Sequence, residues 1–283
     1  MIKLALTDLD DTLIRNGLPH ASERALQAIH EMLDAGLRFG PVSGRVPNAM
    51  EWMFAGDARA YECGALSNGQ MIYLDGELLH AETIDAELLF GVACTLSEFE
   101  GCALCIYDVD VPEEGSGYFV SPSASHLEGV CQRFRHIGRG VTHLTEDTYI
   151  KANVWCSGDR ERVTMIRDLL RETYPALDFV FPSPTAPLID ISPAGWSKGT
   201  AVRYLADELG LSLDEVATFG DSENDLSMIE CVPNSVAVSN ASPEVAKAAR
   251  WHIGASADDA VADALHEIAV AAQSGAMPAF MHD

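Results

Sequence analysis

Three carboxylates stand within four residues near the N-terminus, at Asp8, Asp10 and Asp11, directly after the apolar run that contains Ile2, Leu4, Ala5 and Leu6. The run reads as a short strand buried on both faces. Asp8 and Asp10 are two apart, so an extended backbone directs both side chains the same way. Adjacent carboxylates repel, and the pair is costly unless a cation sits between them. With hard oxygen ligands that cation is Mg²⁺. A carboxylate held at a strand end beside such an ion can also act as a nucleophile. A Ca²⁺ loop of the EF-hand type is excluded, because it needs glycine at its sixth position and glutamate at its twelfth. Counted from Asp8, those positions hold Leu13 and Pro19. An acidic turn that merely faces solvent is the alternative for this stretch taken alone.

Further chemistry-bearing residues recur at predicted strand ends. A strand over 37–42 delivers Ser43, Gly44 and Arg45; the hydroxyl can donate to an oxyanion, and glycine lets backbone N–H groups approach it. Leu188-Ile189-Asp190-Ile191 reads as a strand, after which Ser197 caps a helix with Val202, Leu205, Ala206 and Leu209 at helical spacing. Lys198 falls in that helix's first turn, where a cation opposes the helix dipole unless an anion shares the site. Val216-Ala217-Thr218-Phe219 is a strand running into Gly220-Asp221-Ser222-Glu223-Asn224-Asp225.

The elements that must position these groups follow from periodicity. A helix after Ser22 carries Leu26, Ile29, Leu33 and Leu37 on one face, and residues 50–54 form a short helix. Asp75-Gly76 joins two apolar runs as a hairpin. Residues 81–187 hold predicted helices near 83–99, 123–135 and 160–174, with strands near 103–108, 117–121, 150–156 and 178–182. The proline-rich stretch over 181–187 reads as a return linker. A helix from Asp258 buries Val261, Leu265 and Ile268, and the tail from Ser274 has weak patterning and is expected to fray. The fold class is α/β: a Rossmann-like, mostly parallel sheet core over 1–80 and 188–283, with an inserted α+β domain over 81–187. In an open sheet of that kind the strand ends converge on one rim. Three carboxylates there suit one Mg²⁺, and a hydroxyl plus an ammonium suit a phosphoryl group.

Composition narrows the partners. The formal charge of −25 is spread along the chain and no segment is basic, so neither nucleic acid nor an anionic membrane is an expected partner. The longest apolar runs fall well short of the roughly 18 residues of a membrane span. No basic segment precedes an apolar stretch and cleavage site, so no signal peptide is expected. Seven cysteines without regular spacing point to reduced thiols and a cytoplasmic protein, and the single CxxC, Cys102 to Cys105, lies in a predicted buried strand.

The motifs taken together resemble the haloacid dehalogenase superfamily of phosphohydrolases: Asp8-Leu9-Asp10-Asp11-Thr12, then Ser43, then Lys198, then Gly220-Asp221-Ser222-Glu223-Asn224-Asp225. An insertion of about 110 residues between the second and third motifs looks like the C2 cap of the Cof-type subfamily. Asn68-Gly69 and Gly195-Trp196-Ser197-Lys198-Gly199 fit it too. The resemblance implies a phosphomonoester hydrolase acting on a small molecule, a sugar phosphate, with Mg²⁺ as cofactor. It implies Asp8 as nucleophile, Asp10 as acid and base, and Lys198 as the neutralising cation. Ser43, Gly44, Lys198 and Asn224 would bind phosphate. Asp8, the Asp10 carbonyl and Asp221 would hold the metal, with Thr12 and Asp225 in support. Arg45 and Lys151 are candidate substrate contacts, with a surface salt bridge the alternative for each. A phosphomutase resembling phosphomannomutases, and a catalytically disabled binding protein, are the alternatives.

Overall fold

In the computed structural model the described residues are 1–109, 111, 116–183 and 186–282. They fall into two compact units: Met1–Arg45, Ala49–His80 and Ser197–Asp283 form the first, and Val46–Asn48 with Ala81–Trp196 the second.

The first unit is built on the strand Leu4–Thr7, whose four residues are all buried. It lies between Arg38–Pro41 and Val216–Gly220, and Asn234–Ala237 and Trp251–His252 extend the sheet beyond the latter. All four pairings are parallel. Among the described residues this is a five-stranded parallel sheet, which must be covered on both faces. Register decides what meets at its rim: Thr7 lies opposite Phe219 and Pro41. The residues that follow each strand, Asp8, Val42-Ser43 and Gly220-Asp221, therefore emerge side by side.

Ser22 caps the helix Glu23–Asp34 by accepting from the Ala25 N–H at 3.0 Å. Its buried face is Ala25, Ala28, Ile29 and Met32. Leu26 and Leu33, expected on that face, are only half-buried at its flank, and Leu37 lies past the helix end. Two alanines let the helix seat closely, which turns the leucines aside. The helix Ala260–Ala272 packs against it and buries Val261, Leu265 and Ile268 as expected. Gly64–Leu66, Met71–Leu74 and Glu77–Ala81 make a small separate sheet, turned at Asp75 and Gly76, both with positive φ. The described part of the tail, expected to fray, is packed. The Phe280 N–H donates to Glu267 Oε2 at 3.1 Å and Met281 is buried, anchored by a single short turn that carries no periodic signal.

In the second unit, six described strands run in the order Leu177–Val180, Leu188–Pro193, Lys151–Cys156, Cys102–Tyr107, Gly117–Val120, Gly138–Val141. All pairs are antiparallel except the last. Leu104 and Ile106 pack with Leu89, Val92, Val163 and Ile166 of the helices Ala86–Leu96 and Arg160–Thr173. Ala103 and Cys105, on the other face, pack with Leu127 and Val130 of Ala124–Arg133. The CxxC cysteines are thus buried on opposite sides of one strand.

One boundary is corrected. Leu188–Pro193, expected to begin the return to the core, is an inner strand of this second sheet, bonded to Lys151–Cys156 and Leu177–Val180. The proline-rich stretch 181–187, of which Pro184 and Thr185 lie outside the described residues, joins neighbouring strands of one sheet. The chain re-enters the first unit at Ser197.

Candidate active site

Asp8 follows the inner strand Leu4–Thr7, its N–H bonded to the Phe219 carbonyl at 2.9 Å. The residue is 7% exposed. Lys198 reaches it from the helix Lys198–Glu208, capped by Ser197 as the sequence indicates. The ammonium is fully buried and lies between two carboxylates, 2.5 Å from Asp8 Oδ1 and 2.6 Å from Asp225 Oδ1. Those anions resolve the conflict between a lysine and the helix dipole. Burial presses the Lys198 ammonium toward its neutral form, but Asp225 and Asp8 more than offset this, and its pKa rises.

Asp225 is committed on both oxygens. Oδ1 faces Lys198, while Oδ2 accepts the N–H groups of Asp221 and Ser222, both at 2.9 Å. That turn needs glycine at 220, where a Cβ would lie 2.6 Å from Asp225 Cβ. Asp221 is held by hydroxyls: Thr12 Oγ1 donates to its Oδ1 at 2.8 Å, and Ser222 Oγ to its Oδ2 at 2.7 Å. The fastening of Asp221 by Ser222 was not foreseen from the sequence.

Asp8, Asp221 and Asp225 each offer an oxygen, all within 4.8 Å of one another. Three carboxylates share one ammonium, and the imbalance shows in their acidities. Burial, with Asp225, Asp221 and Asp10 adding to it, outweighs Lys198 and pushes the Asp8 carboxyl well up. Asp221 is pushed up to about 6, first by burial and then by Asp225, against its hydroxyl partners and Lys198. A buried, all-oxygen, net-negative cluster of this kind fits a hard divalent cation.

Asp10 does not join that cluster. Half-exposed beyond the strand end, its carboxylate is taken by Arg45, with Nε 2.9 Å from Oδ2 and Nη2 2.8 Å from Oδ1. Asp11 turns the chain there with φ 61°. To act as an acid Asp10 must hold a proton. Burial does push its pKa up, but the hydrogen bonds and charge of Arg45, with Lys198, carry it below the ordinary value. Arg45, whose guanidinium lies 5.8 Å from the Trp52 ring centre, faces a catalytic candidate.

Ser43 is buried, its N–H bonded to the Ala65 carbonyl at 2.9 Å and its Oγ accepting from the Arg45 N–H at 3.2 Å; Gly44 lies between them. Asn224 donates from Nδ2 to Asn68 Oδ1 at 3.2 Å. In the sequence Asn68 stands out only as part of the Asn68-Gly69 pair that fits the Cof-type pattern, with no role of its own. The structure brings together Asp8, Asp10, Thr12, Ser43, Gly44, Arg45, Lys198, Asp221, Asn224 and Asp225 in the first unit. Lys151 belongs to the second, where it is paired with Asp190 at 2.7 Å, an ion pair that is buried and not at the surface.

The family model for haloacid dehalogenase-like hydrolases matches residues 5–265. The chain belongs to this family. Its relatives include an HMP-PP phosphatase of Escherichia coli, 26% identical over 251 residues and covering 87% of each chain. Solved structures with the same fold include the phosphatase BT1666 of Bacteroides thetaiotaomicron, at TM-score 0.75 and 21% identity, covering 94% of each chain. The HAD subclass IIB sugar phosphatase BT4131 aligns at TM-score 0.72 and 18% identity, over 93% of this chain and 97% of that one. The enzyme class of this member of the haloacid dehalogenase superfamily is phosphatase. Among the described residues no helix is long and apolar enough to cross a membrane.

Proposed function

We propose that the enzyme is a Mg²⁺-dependent hydrolase of a small phosphomonoester, a sugar phosphate, working through an aspartyl-phosphate on Asp8. The observation that carries this reading is Asp8 itself: a buried carboxylate fixed by Lys198 inside a cluster with too little positive charge. Asp8, Asp221 and the Asp10 backbone carbonyl would hold Mg²⁺, which when bound supplies charge neutralisation for the phosphoryl group.

In the first step an Asp8 oxygen forms a bond to phosphorus as the bond to the leaving oxygen breaks, and Asp10 gives that oxygen its proton. In the second, water attacks the same phosphorus, Asp10 takes the water's proton, and Asp8 is released with inorganic phosphate. Lys198 keeps Asp8 oriented and offsets charge throughout. Ser43 and the Gly44 N–H would hold phosphoryl oxygens, aided by Asn224, while Thr12 and Asp225 support Asp221 and Lys198. Residues 81–196 would act as an inserted cap that selects the substrate.

The sugar assignment rests on the fold shared with a sugar phosphatase, and the relative named HMP-PP phosphatase adds HMP-PP to the compounds worth testing. The decisive experiment is a phosphate-release screen over sugar, nucleotide and cofactor phosphates with Mg²⁺, with product analysis on hexose 1- and 6-phosphates. Free phosphate supports the hydrolase, isomerised sugar phosphate a mutase, and no turnover of any compound a disabled binding protein.

A further inference from the structure

The turn Ser67-Asn68-Gly69 connects parts of the site that are far apart in the chain. Ser67 and Asn68 are both left-handed, at φ 52° and 57°, and Gly69 follows at φ 94°. Non-glycine residues avoid this region, asparagine least, and two in succession persist only where the surroundings impose them. The reversal sends two N–H groups back to the phosphate loop: Ser67 N–H to the Arg45 carbonyl at 2.8 Å and Asn68 N–H to the Ser43 carbonyl at 2.9 Å. At Gly69 a Cβ would stand 2.7 Å from the Ser197 carbonyl oxygen and 2.9 Å from Ala201 Cβ. The turn therefore presses on the start of the helix that carries Lys198. The Asn68 side chain meets the fourth motif, accepting from Asn224 Nδ2 at 3.2 Å.

Asn224 has a further feature. Its Oδ1 is buried and has no hydrogen-bond partner among the described residues. A buried amide oxygen left without a donor is costly unless a ligand or water supplies one. With its amide nitrogen engaged by Asn68, that oxygen is fixed in one direction.

We propose that Asn68 is a positioning residue for the phosphatase reaction. Its backbone sets the Ser43–Arg45 loop, and its side chain orients the amide of Asn224. This rests on the proposed phosphatase function and adds to it a residue outside the motifs assigned there.

The test is a set of variants assayed for kcat and KM with p-nitrophenyl phosphate and Mg²⁺, for inhibition by inorganic phosphate, and for thermal midpoint. Asn68→Gly keeps the left-handed backbone and removes the amide; kcat should fall about tenfold or more while the midpoint changes little. Asn68→Asp, which tolerates the same backbone and retains an acceptor, should recover most of the loss. Asn224→Ala should lose a similar factor, and the double variant no more than the worse single one, because the pair acts as a unit. Should Asn68→Gly not fold, Asn68→Ser, too short to reach Asn224, takes its place. Activity within about twofold of wild type, losses that multiply in the double variant, or activity that only tracks the thermal midpoint would each overturn the proposal. No phosphate release by the wild-type protein would instead overturn the phosphatase reading, and this role with it.

Discussion

Arg45 grips Asp10 by both carboxylate oxygens, Nε to Oδ2 and Nη2 to Oδ1, so the proposed proton donor rests as a carboxylate. The acid needed for the first step is thus the less populated form in the free enzyme near neutral pH. A substrate that draws Arg45 toward its own anionic group would loosen the grip and return the proton to Asp10.

A pH profile tests this relationship. If Asp10 must be protonated to start the reaction, kcat/KM falls as pH rises through its pKa, which Arg45 holds below the ordinary value against the opposing effect of burial. Arg45→Met leaves burial unopposed by that pair, so the falling limb should move to higher pH. A limb that stays in place would separate Arg45 from the acidity of Asp10.

Asp8→Asn keeps the shape of the proposed nucleophile and removes its charge. Turnover should drop by several orders of magnitude, each tenfold being about 1.4 kcal/mol of barrier. In the wild-type protein a phosphate or beryllofluoride adduct should be found on Asp8 by mass spectrometry or spectroscopy. Turnover within about tenfold of wild type, or an adduct elsewhere, would exclude the assignment.

The metal prediction combines activity with stability. EDTA should abolish turnover, Mg²⁺ restore it, and Ca²⁺, with its looser coordination, restore little. Without divalent metal, Asp221 has a folded pKa of about 6 against an ordinary 3.8. The folded state then binds the extra proton between these values, so its contribution to stability is present at low pH and is lost as pH rises from about 4 to 6. The shift corresponds to about 3 kcal/mol at full effect. Mg²⁺ should reverse that loss above pH 6, seen as a rise in thermal midpoint.

Lys198→Met should be costly even where no chemistry is measured. It strips the ammonium from two buried carboxylates, and breaking a buried pair by removing one partner costs about 3–5 kcal/mol. Denaturant unfolding in EDTA should show that loss, with part of it recovered in Mg²⁺ as the metal replaces some of the missing charge.

Much of this arrangement is legible in the sequence, because short-range rules govern it. The apolar run before Asp8, the cap at Ser197 and the Asp75-Gly76 turn depend on neighbours a few residues away. The strand at Leu188 shows where such reasoning stops: its alternation demands a strand but cannot say which sheet receives it. Likewise Arg45 reads as a candidate substrate contact, with no partner specified, until the fold brings Asp10 to it, and Asn68 reads only as part of an Asn-Gly pair until Asn224 and Ser43 converge on it. Lys151 appeared available to a substrate because nothing local announces Asp190.

The pairing of Leu4–Thr7 with Val216–Gly220 also sets an order of events during synthesis. The first strand made is an inner strand of its sheet, and one of its two neighbours leaves the ribosome more than two hundred residues later. The second unit, whose main span Ala81–Trp196 is uninterrupted, can close its own sheet while that strand still waits. Lys198 then arrives just ahead of Val216–Gly220, so Asp8 has no ammonium partner until the last third of the chain begins to emerge. The cluster of Asp8, Lys198, Asp221 and Asp225 therefore cannot assemble until about four-fifths of the chain has been made.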